Sequence, residues 1–148
     1  MDTQKINLPL DVGAIQKVIP HRYPFLLIDK VTELTLGKSI TAIRNVSISD
    51  PVFQGHFPGN PVYPGVLMVE GLAQAAGVLG VLSSENKVET VLFSSIEDAR
   101  FRRVVEPGTR LRYEVHLEKK RGGFCWFKGF AYVEDELAVN ATFSAVMK

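Results

Sequence analysis

The chain has a single cysteine, Cys125, among its 148 residues, so it cannot form an intrachain disulfide. A chain without disulfides is typical of a reducing compartment, and we therefore expect a cytoplasmic protein. The first ten residues, which include Asp2, Gln4 and Lys5, have no apolar run of the kind found in a secretory signal. Both absences argue against a secreted protein stabilised by disulfides.

The chain also has little net charge, because 17 basic and 16 acidic residues leave a formal charge of +1. Nucleic-acid-binding domains are usually strongly basic, so the composition predicts no nucleic-acid partner. Apolar residues make up 46% of the chain, which is enough for a hydrophobic core. The length fits one domain of ordinary size, and we expect residues 1–148 to form it.

Long hydrophobic runs are absent except at residues 66–82, where Glu70 and Gln74 interrupt the apolar sequence. A membrane span needs about 20 residues, so this stretch predicts a buried helix and no span. The chain contains no Gly-x-Ser-x-Gly elbow and no phosphate-binding loop. No His, Cys and Asp cluster has metal-ligand spacing, so we expect no metal site.

The hydrophobic pattern predicts about six strands and one long helix, an α+β fold with a mostly antiparallel sheet. A helix over 65–82 has no polar face and must be buried all round. Its small residues allow close approach of neighbouring backbone. Residues 51–65 contain four prolines and three glycines and therefore form a loop. A short helix is predicted at 11–19, and strands are predicted at 25–28, 40–46, 90–93, 110–118, 124–133 and 137–147.

Glu70 is the first residue that points to chemistry, since it lies inside an apolar helix with Gln74 one turn later. Burying an unpaired carboxylate costs several kcal/mol. The structural interpretation pairs Glu70 with a loop, with Arg44 or with Arg100. The functional interpretation is a desolvated acid that holds a proton near neutral pH.

His56 is the second such residue, in a proline-stiffened loop that leads directly into the helix of Glu70. A lone loop histidine is usually a surface residue, but histidine is also the best proton acceptor near neutral pH. Gly65 starts the helix, where unpaired N–H groups either are a mere consequence of the helix start or stabilise an oxyanion. Together the three match proton abstraction α to a carbonyl and loss of a β-substituent.

Other candidates have less support from the sequence. Cys125 lies in an aromatic strand and is expected in the core. His21 is interpreted as a structural or rim residue, and His116 as part of a solvated strand face. Two basic groups are either solvated surface or a docking patch for an acidic partner. Their members are Arg100, Arg102 and Arg103 in one group and Lys119, Lys120 and Arg121 in the other.

The segment HFPGNPVYPGVL at 56–67, followed by Glu70 and Gln74, resembles the β-hydroxyacyl-[acyl-carrier-protein] dehydratases of bacterial fatty-acid synthesis, of the FabZ type. The resemblance runs from about residue 11 to residue 146. It includes PHRYPFLL at 20–27, DARFR at 98–102 and the pair Pro107-Gly108.

The resemblance implies a hot-dog fold, in which an antiparallel sheet wraps around one long central helix. It implies homodimers, possibly assembled into hexamers as trimers of dimers, with His56 and Glu70 of each site supplied by different subunits. The N–H of Gly65 would polarise the thioester, Gln74 would support Glu70, and no cofactor or metal would be needed. Tyr63 and Leu92 would line an acyl tunnel, and the basic residues would dock acyl carrier protein.

The implied reaction dehydrates (R)-3-hydroxyacyl-[acyl-carrier-protein] to the trans-2-enoyl product. The related FabA group, which also isomerises the double bond, carries Asp where this chain has Glu70, so the resemblance favours dehydration alone. Tyr63, Leu92 and Thr109 depart from common family residues, and the first two leave the preferred chain length open. The alternatives are a hot-dog acyl-thioesterase and a non-catalytic module that binds acyl carrier protein.

Overall fold

The computed structural model describes residues 6–148. Residues 1–5 lie outside the described residues. They belong to the N-terminal segment that was expected to lack a secretory signal, and to the expected single domain 1–148. The first element is the helix α1 (Val12–Gln16). Asp11 caps it, since the N–H of Ala14 donates to Asp11 Oδ1 at 2.8 Å. The helix is shorter than the predicted 11–19.

One sheet of six antiparallel strands contains most of the remaining regular structure. Its strands, in chain order, are β1 (Lys30–Thr35), β2 (Ser39–Asn45), β3 (Val91–Phe101), β4 (Arg110–Arg121), β5 (Phe124–Val133) and β6 (Glu136–Met147). Tight hairpins connect β1 to β2, β4 to β5 and β5 to β6. The spatial order β1-β2-β4-β5-β6-β3 leaves β1 and β3 at the two edges of the sheet.

The long helix α2 (Gly65–Ser83) packs against the sheet and supplies much of the core. By length and composition it could span a membrane, but most of its residues are buried inside the protein. Close packing explains its small residues, because a Cβ at Gly71 would lie 2.6 Å from the ring of Tyr113 on β4. The expected α+β architecture, with one long helix against an antiparallel sheet, is confirmed.

The predicted strand at 25–28 is wrong. Leu27 and Ile28 are buried as the apolar pattern indicates, but the segment forms no strand. The side chain of Gln74 on α2 takes the place of a neighbouring strand: it accepts from the N–H of Leu27 and donates to the carbonyl of Phe25, both at 2.7 Å. The strand in this region is β1, which has a mixed polar sequence and pairs with β2 and, through an isolated bridge at Val31, with Leu10.

The strand predicted at 90–93 extends to Phe101, because backbone pairing with β6 continues through polar residues that break the apolar pattern. The loop predicted at 51–65 contains one turn of 3-10 helix, Pro51–Gln54, and is otherwise irregular up to the start of α2. The strands predicted at 40–46, 110–118, 124–133 and 137–147 and the helix at 65–82 match β2, β4, β5, β6 and α2 within a few residues.

Candidate active site

The loop between β2 and α2 is fixed at both ends by one side chain, Arg44 on β2. Its guanidinium forms a 2.9 Å ion pair with Asp50, in the first part of the loop, and a second ion pair of 3.7 Å with Asp29, just before β1. The same group lies 5.7 Å from the ring centre of Tyr63, just before α2. Because Arg44 is only 7% exposed, these contacts are shielded from solvent and hold the loop against the sheet.

His56 lies in the middle of this loop, with its ring stacked on that of Phe57. Nδ1 of His56 is 2.6 Å from the carbonyl oxygen of Val62. A carbonyl oxygen can only accept a hydrogen bond, so Nδ1 carries the proton of the neutral ring. The lone pair is then on Nε2, and neutral His56 is oriented as a base.

His56 and Gly65 line the same cavity, which has a volume of about 510 Å³. The first N–H groups of α2 have no acceptor within the helix and carry its positive dipole end. The ring of Phe101, at the end of β3, occupies the place that a Cβ on residue 65 would need. Glycine at 65 therefore allows β3 to approach the start of the helix, and an acceptor oxygen in this cavity could meet a base and a helix terminus.

Glu70 lies one and a half turns further along α2, with its side chain 19% exposed. Gln74 Nε2 donates to Glu70 Oε2 at 2.9 Å, and Nε2 of His21 lies 3.8 Å from the same oxygen. Burial raises the pKa of Glu70, while the hydrogen bond from Gln74 and the charge interaction with His21 oppose this rise. The carboxyl group therefore retains its proton to a higher pH than an exposed glutamate does.

Neither arginine considered as a partner of Glu70 contacts it. Arg44 pairs with Asp50 and Asp29, and Arg100 pairs with Asp98 at 3.3 Å. The interpretation of Glu70 as one half of an arginine ion pair is wrong, because both guanidinium groups are engaged by acidic residues near them in the fold. Its structural contacts instead come from a neutral amide and a histidine.

Within one protomer, His56 and Glu70 line different cavities. Glu70 lies in a small space of about 40 Å³ together with His21, Gln74 and residues of β3 and β6. Glu70 is five positions after Gly65, which turns the helix by about 140° between them. The base and the helix terminus therefore face one side of α2, and the carboxyl group faces another.

The two predicted tunnel residues differ in their surroundings. The ring of Tyr63 is 1% exposed and packs against Phe53 and Arg44, although the residue borders the cavity of His56. Leu92 on β3 is 54% exposed, while its neighbours Val91 and Phe93 line the cavity of Glu70. A role for Tyr63 and Leu92 in an acyl tunnel stays a prediction.

The basic residues divide into two separate groups. Arg102 and Arg103 line the cavity of His56; Arg102 donates to Asn140 Oδ1 at 2.6 Å, and Arg103 pairs with Glu136. Lys120 and Arg121 lie at the other end of the sheet. In the strand register, Lys120 on β4 lies opposite Cys125 on β5, and Cys125 lies opposite Ala145 on β6. The N–H of Arg102 instead donates to the carbonyl oxygen of Ala138, near the start of β6. Ala138 and Ala145 are seven positions apart on β6, so the two basic groups are separated by roughly 23 Å along the sheet.

Another cavity, of about 720 Å³, lies at the end near Lys120 and is lined by neither His56 nor Glu70. Cys125 borders it and is 2% exposed, and burial raises the pKa of its thiol, so its predicted place in the core is confirmed. His116 is exposed on β4, as predicted. Within residues 6–148, no three His, Cys, Asp or Glu side chains are grouped so that they could hold a metal ion.

The sequence interpretation missed the contact between His21 and Glu70. His21 was expected to be structural or at a rim, and it lies 49 positions from Glu70 in the chain. The segment after α1 carries it to the side of α2, where Gln74 also binds the backbone of Phe25 and Leu27. The motif PHRYPFLL contained the signal, since its histidine precedes an apolar run that must pack against something buried.

The fold and the site together define a hot-dog protein with a histidine loop that leads into its central helix. The solved dehydratase heterocomplex ApeI:P from Xenorhabdus doucetiae has the same fold, with a TM-score of 0.79 at 19% identity over 97% of this chain and 93% of that one. The FabA-like domain matches residues 19–142, and this chain belongs to that family.

Within the family, the chain is similar to proteins named 3-hydroxyacyl-[acyl-carrier-protein] dehydratase FabZ. The relative from Nitratiruptor sp. is 51% identical over 93% of this chain and 97% of its own length. The relative from Rhizorhabdus wittichii is 50% identical over 99% of this chain and 94% of its own length. The resemblance to the FabZ type, stated from the sequence motifs, is confirmed.

Proposed function

We propose that this chain is a hydro-lyase that dehydrates (R)-3-hydroxyacyl-[acyl-carrier-protein] to trans-2-enoyl-[acyl-carrier-protein] in fatty acid biosynthesis. The names of relatives at about 50% identity over nearly the whole chain support the reaction. The structural observation that carries the proposal concerns His56: its Nδ1 is bound to the carbonyl of Val62, which leaves Nε2 as the basic atom, and the residue shares a cavity with Gly65 at the start of α2.

The residues support a balanced elimination. The thioester carbonyl accepts a hydrogen bond from the N–H of Gly65, which stabilises negative charge on that oxygen. Nε2 of His56 takes the α-proton, and the electrons of the Cα–H bond form the new double bond as the bond from Cβ to oxygen breaks. Glu70 gives its proton to the departing hydroxyl, directly or through water, and water leaves. A proton then passes from His56 to Glu70 through solvent and restores both groups.

A homodimer would complete the site, and the edge strand β3 supports this proposal. Its apolar side chains Leu92, Phe93, Ile96 and Phe101 are 40–54% exposed in the protomer. An exposed edge strand of 11 residues also carries unpaired backbone groups along its length. Pairing β3 with β3 of a second copy would bury these apolar side chains and satisfy the unpaired backbone groups. A two-fold axis between the copies would make the pairing antiparallel.

Antiparallel pairing also explains how separated groups would meet. The Phe101 end of β3 borders the cavity of His56, and the end with Val91 and Phe93 borders the cavity of Glu70. A two-fold axis near the middle of β3 brings the first end of one protomer to the second end of the other. Each active site would then combine His56 and Gly65 of one protomer with Glu70 and Gln74 of its partner.

The remaining proposals concern partners and setting. Acyl carrier protein would deliver the substrate, with Arg100, Arg102 and Arg103 as the nearest basic group, and the acyl chain would enter along the dimer interface past Tyr63 and Leu92. Assembly of three dimers into a hexamer and a cytoplasmic location fit the same function. We further propose that one domain carries the whole activity without a bound cofactor.

The first experiment measures enoyl product from a 3-hydroxyacyl thioester on acyl carrier protein. His56→Ala and Glu70→Gln should each lower kcat by about 10²-fold or more, the usual contribution of a placed base or acid. His116→Ala is the matched control, because His116 lies on the solvated face of β4. Near-normal rates from either folded site variant would refute the assignment of the acid–base pair.

The same reaction mixture separates the alternatives. A hot-dog thioesterase would release free carrier thiol, which a thiol-trapping dye detects, and would form no enoyl absorbance. A binding module would retain the carrier without either product. We expect enoyl absorbance to grow without thiol release.

A further inference from the structure

Two side chains of the same protomer converge on one oxygen of Glu70. Gln74 Nε2 donates to Oε2 at 2.9 Å, and His21 Nε2 lies 3.8 Å from that same oxygen. The longer distance exceeds that of a direct hydrogen bond, so His21 acts on this oxygen through the electrostatic interaction of its ring. The other oxygen, Oε1, is not the target of either group, so the carboxyl group has two chemically different sides.

The position of His21 is fixed through the backbone of its segment. The guanidinium of Arg22 donates to the carbonyl oxygens of Gln16, Ile19 and His21, at 2.7–3.0 Å, and so fastens the segment to the end of α1. Nδ1 of His21 is buried and has no hydrogen-bond partner among the described residues. The carboxyl group of Glu70 is therefore the polar side chain that lies next to Nε2 of His21.

We propose that His21 is a positioning residue that, together with Gln74, holds Oε2 of Glu70 and leaves Oε1 to carry the proton used in the dehydration. The inference rests on the proposed function, in which Glu70 protonates the departing hydroxyl. When Oε1 loses its proton, the negative charge spreads to Oε2. Gln74 and the Nε2–H tautomer of His21 then stabilise that charge with dipoles that are already oriented.

The groups around Glu70 make His21 the residue of the same protomer that adjusts the pKa of this carboxyl group. Burial lowers the pKa of His21, which favours a neutral donor; Glu70 opposes this effect and Arg22 adds to it. Every other packed element presents apolar or neutral groups to the carboxyl, namely Ala73, Gln74 and Gly77 of α2, Val91 and Phe93 of β3 and Ala145 of β6. Among the described residues of one protomer around this cavity, His21 alone titrates beside Glu70, and Arg22 acts through it. In the proposed dimer, His56 of the partner subunit would be the second titratable group near this carboxyl, and it is the same in every His21 variant.

The test compares His21→Leu, which removes the donor, with His21→Gln, whose amide replaces it. With the carrier-bound substrate, the leucine variant should lower kcat about tenfold and change KM less than about twofold. The alkaline limb of the kcat profile should move to higher pH, because a less stabilised carboxylate holds its proton longer. The glutamine variant should restore most of kcat. His116→Leu is the matched control and should change none of these quantities.

A second measurement needs no turnover. Titration of the Glu70 carboxyl group, followed by carbon-13 NMR of the folded protein, should show a higher pKa in His21→Leu than in the wild type. An unchanged titration and an unmoved pH limb would overturn the inference even if kcat fell. If the leucine variant does not fold, His21→Met makes the same comparison. Absence of enoyl product from the wild type would reject the proposed function, while the titration would still decide whether His21 acts on Glu70.

Discussion

At the scale of single residues, the site depends on polar groups held where water is scarce. Glu70 lies on a helix whose other side chains are almost all apolar, and burial raises the pKa of its carboxyl group. A raised pKa suits a residue that must donate a proton near neutral pH. The same burial disfavours the ionised form, so the chemistry of this residue and the stability of the fold are in conflict.

This conflict predicts a more stable but inactive variant. Because the pKa of Glu70 is higher in the folded than in the unfolded chain, the folded state binds the extra proton, and stability falls as pH rises through the folded pKa. Glu70→Gln should therefore raise Tm at neutral and alkaline pH. The gain should shrink as pH falls to 4.5, the ordinary value of a glutamate.

Thermal unfolding followed by circular dichroism over this pH range measures the effect. Glu33→Gln on the exposed face of β1 is the control for a simple loss of charge. The explanation fails if both variants gain the same stability at every pH, or if the gain of Glu70→Gln is largest in acid.

At the scale of elements, β3 connects the parts of the proposed site. Its last residue, Phe101, covers the start of α2, and its first residues border Glu70. The strand was difficult to recognise because Ser94, Ser95, Glu97 and Asp98 interrupt its apolar residues. An edge strand can include such residues, since only one side pairs with the sheet and both faces are partly exposed in the protomer.

The end of β3 also places Arg102 and Arg103 beside the cavity of His56, where they could guide an acidic carrier to the proposed site. Arg102→Glu, beside the cavity of His56, should raise KM for a carrier-bound substrate about tenfold and leave a short free thioester unaffected. The effect should fade as salt screens the charges. Lys120→Glu, roughly 23 Å away along the sheet, should have a smaller effect.

Steady-state kinetics with both substrates at low and high salt test this expectation. Equal losses on the carrier-bound and the free substrate would exclude a docking role for Arg102. A larger effect from Lys120 would move the docking surface to the hairpin between β4 and β5.

At the scale of the whole molecule, the separation of His56 and Glu70 in one protomer predicts a site shared between two. His56→Ala and Glu70→Gln protomers should each have little activity alone. In a mixed dimer, one of the two sites would combine an intact His56 with an intact Glu70. Random mixing should restore about a quarter of the wild-type activity, because half of the dimers are mixed and each has one intact site.

Refolding the two variants together, with each variant refolded alone as the control, measures the recovery. Absence of recovery in a mixture that contains heterodimers would place both groups of each site in one protomer. Size-exclusion chromatography with light scattering establishes that mixed dimers are present. The variant Ile96→Arg, in the middle of β3, should weaken the dimer and lower activity together.

The sequence by itself determined those elements whose side-chain pattern depends only on whether each residue meets water or the core and on the backbone preference of that residue. A helix without a polar face had to be buried, and four prolines in fifteen residues had to form a loop. The alternation at residues 110–118 identified β4 as a strand that has one buried face. The same local signals selected His56 and Glu70, since a histidine on a stiff loop and a carboxyl in an apolar helix are both unusual.

Only the tertiary structure decided which distant residues meet. The apolar segment 25–28 bonds a side chain of α2 instead of a strand, Arg44 pairs with Asp50 instead of Glu70, and His21 reaches Glu70 across 49 positions. The two basic groups, which looked alike as charge clusters, lie at opposite ends of the sheet. Local patterns report how one element meets water or core, whereas these contacts depend on how elements far apart in the chain pack against one another.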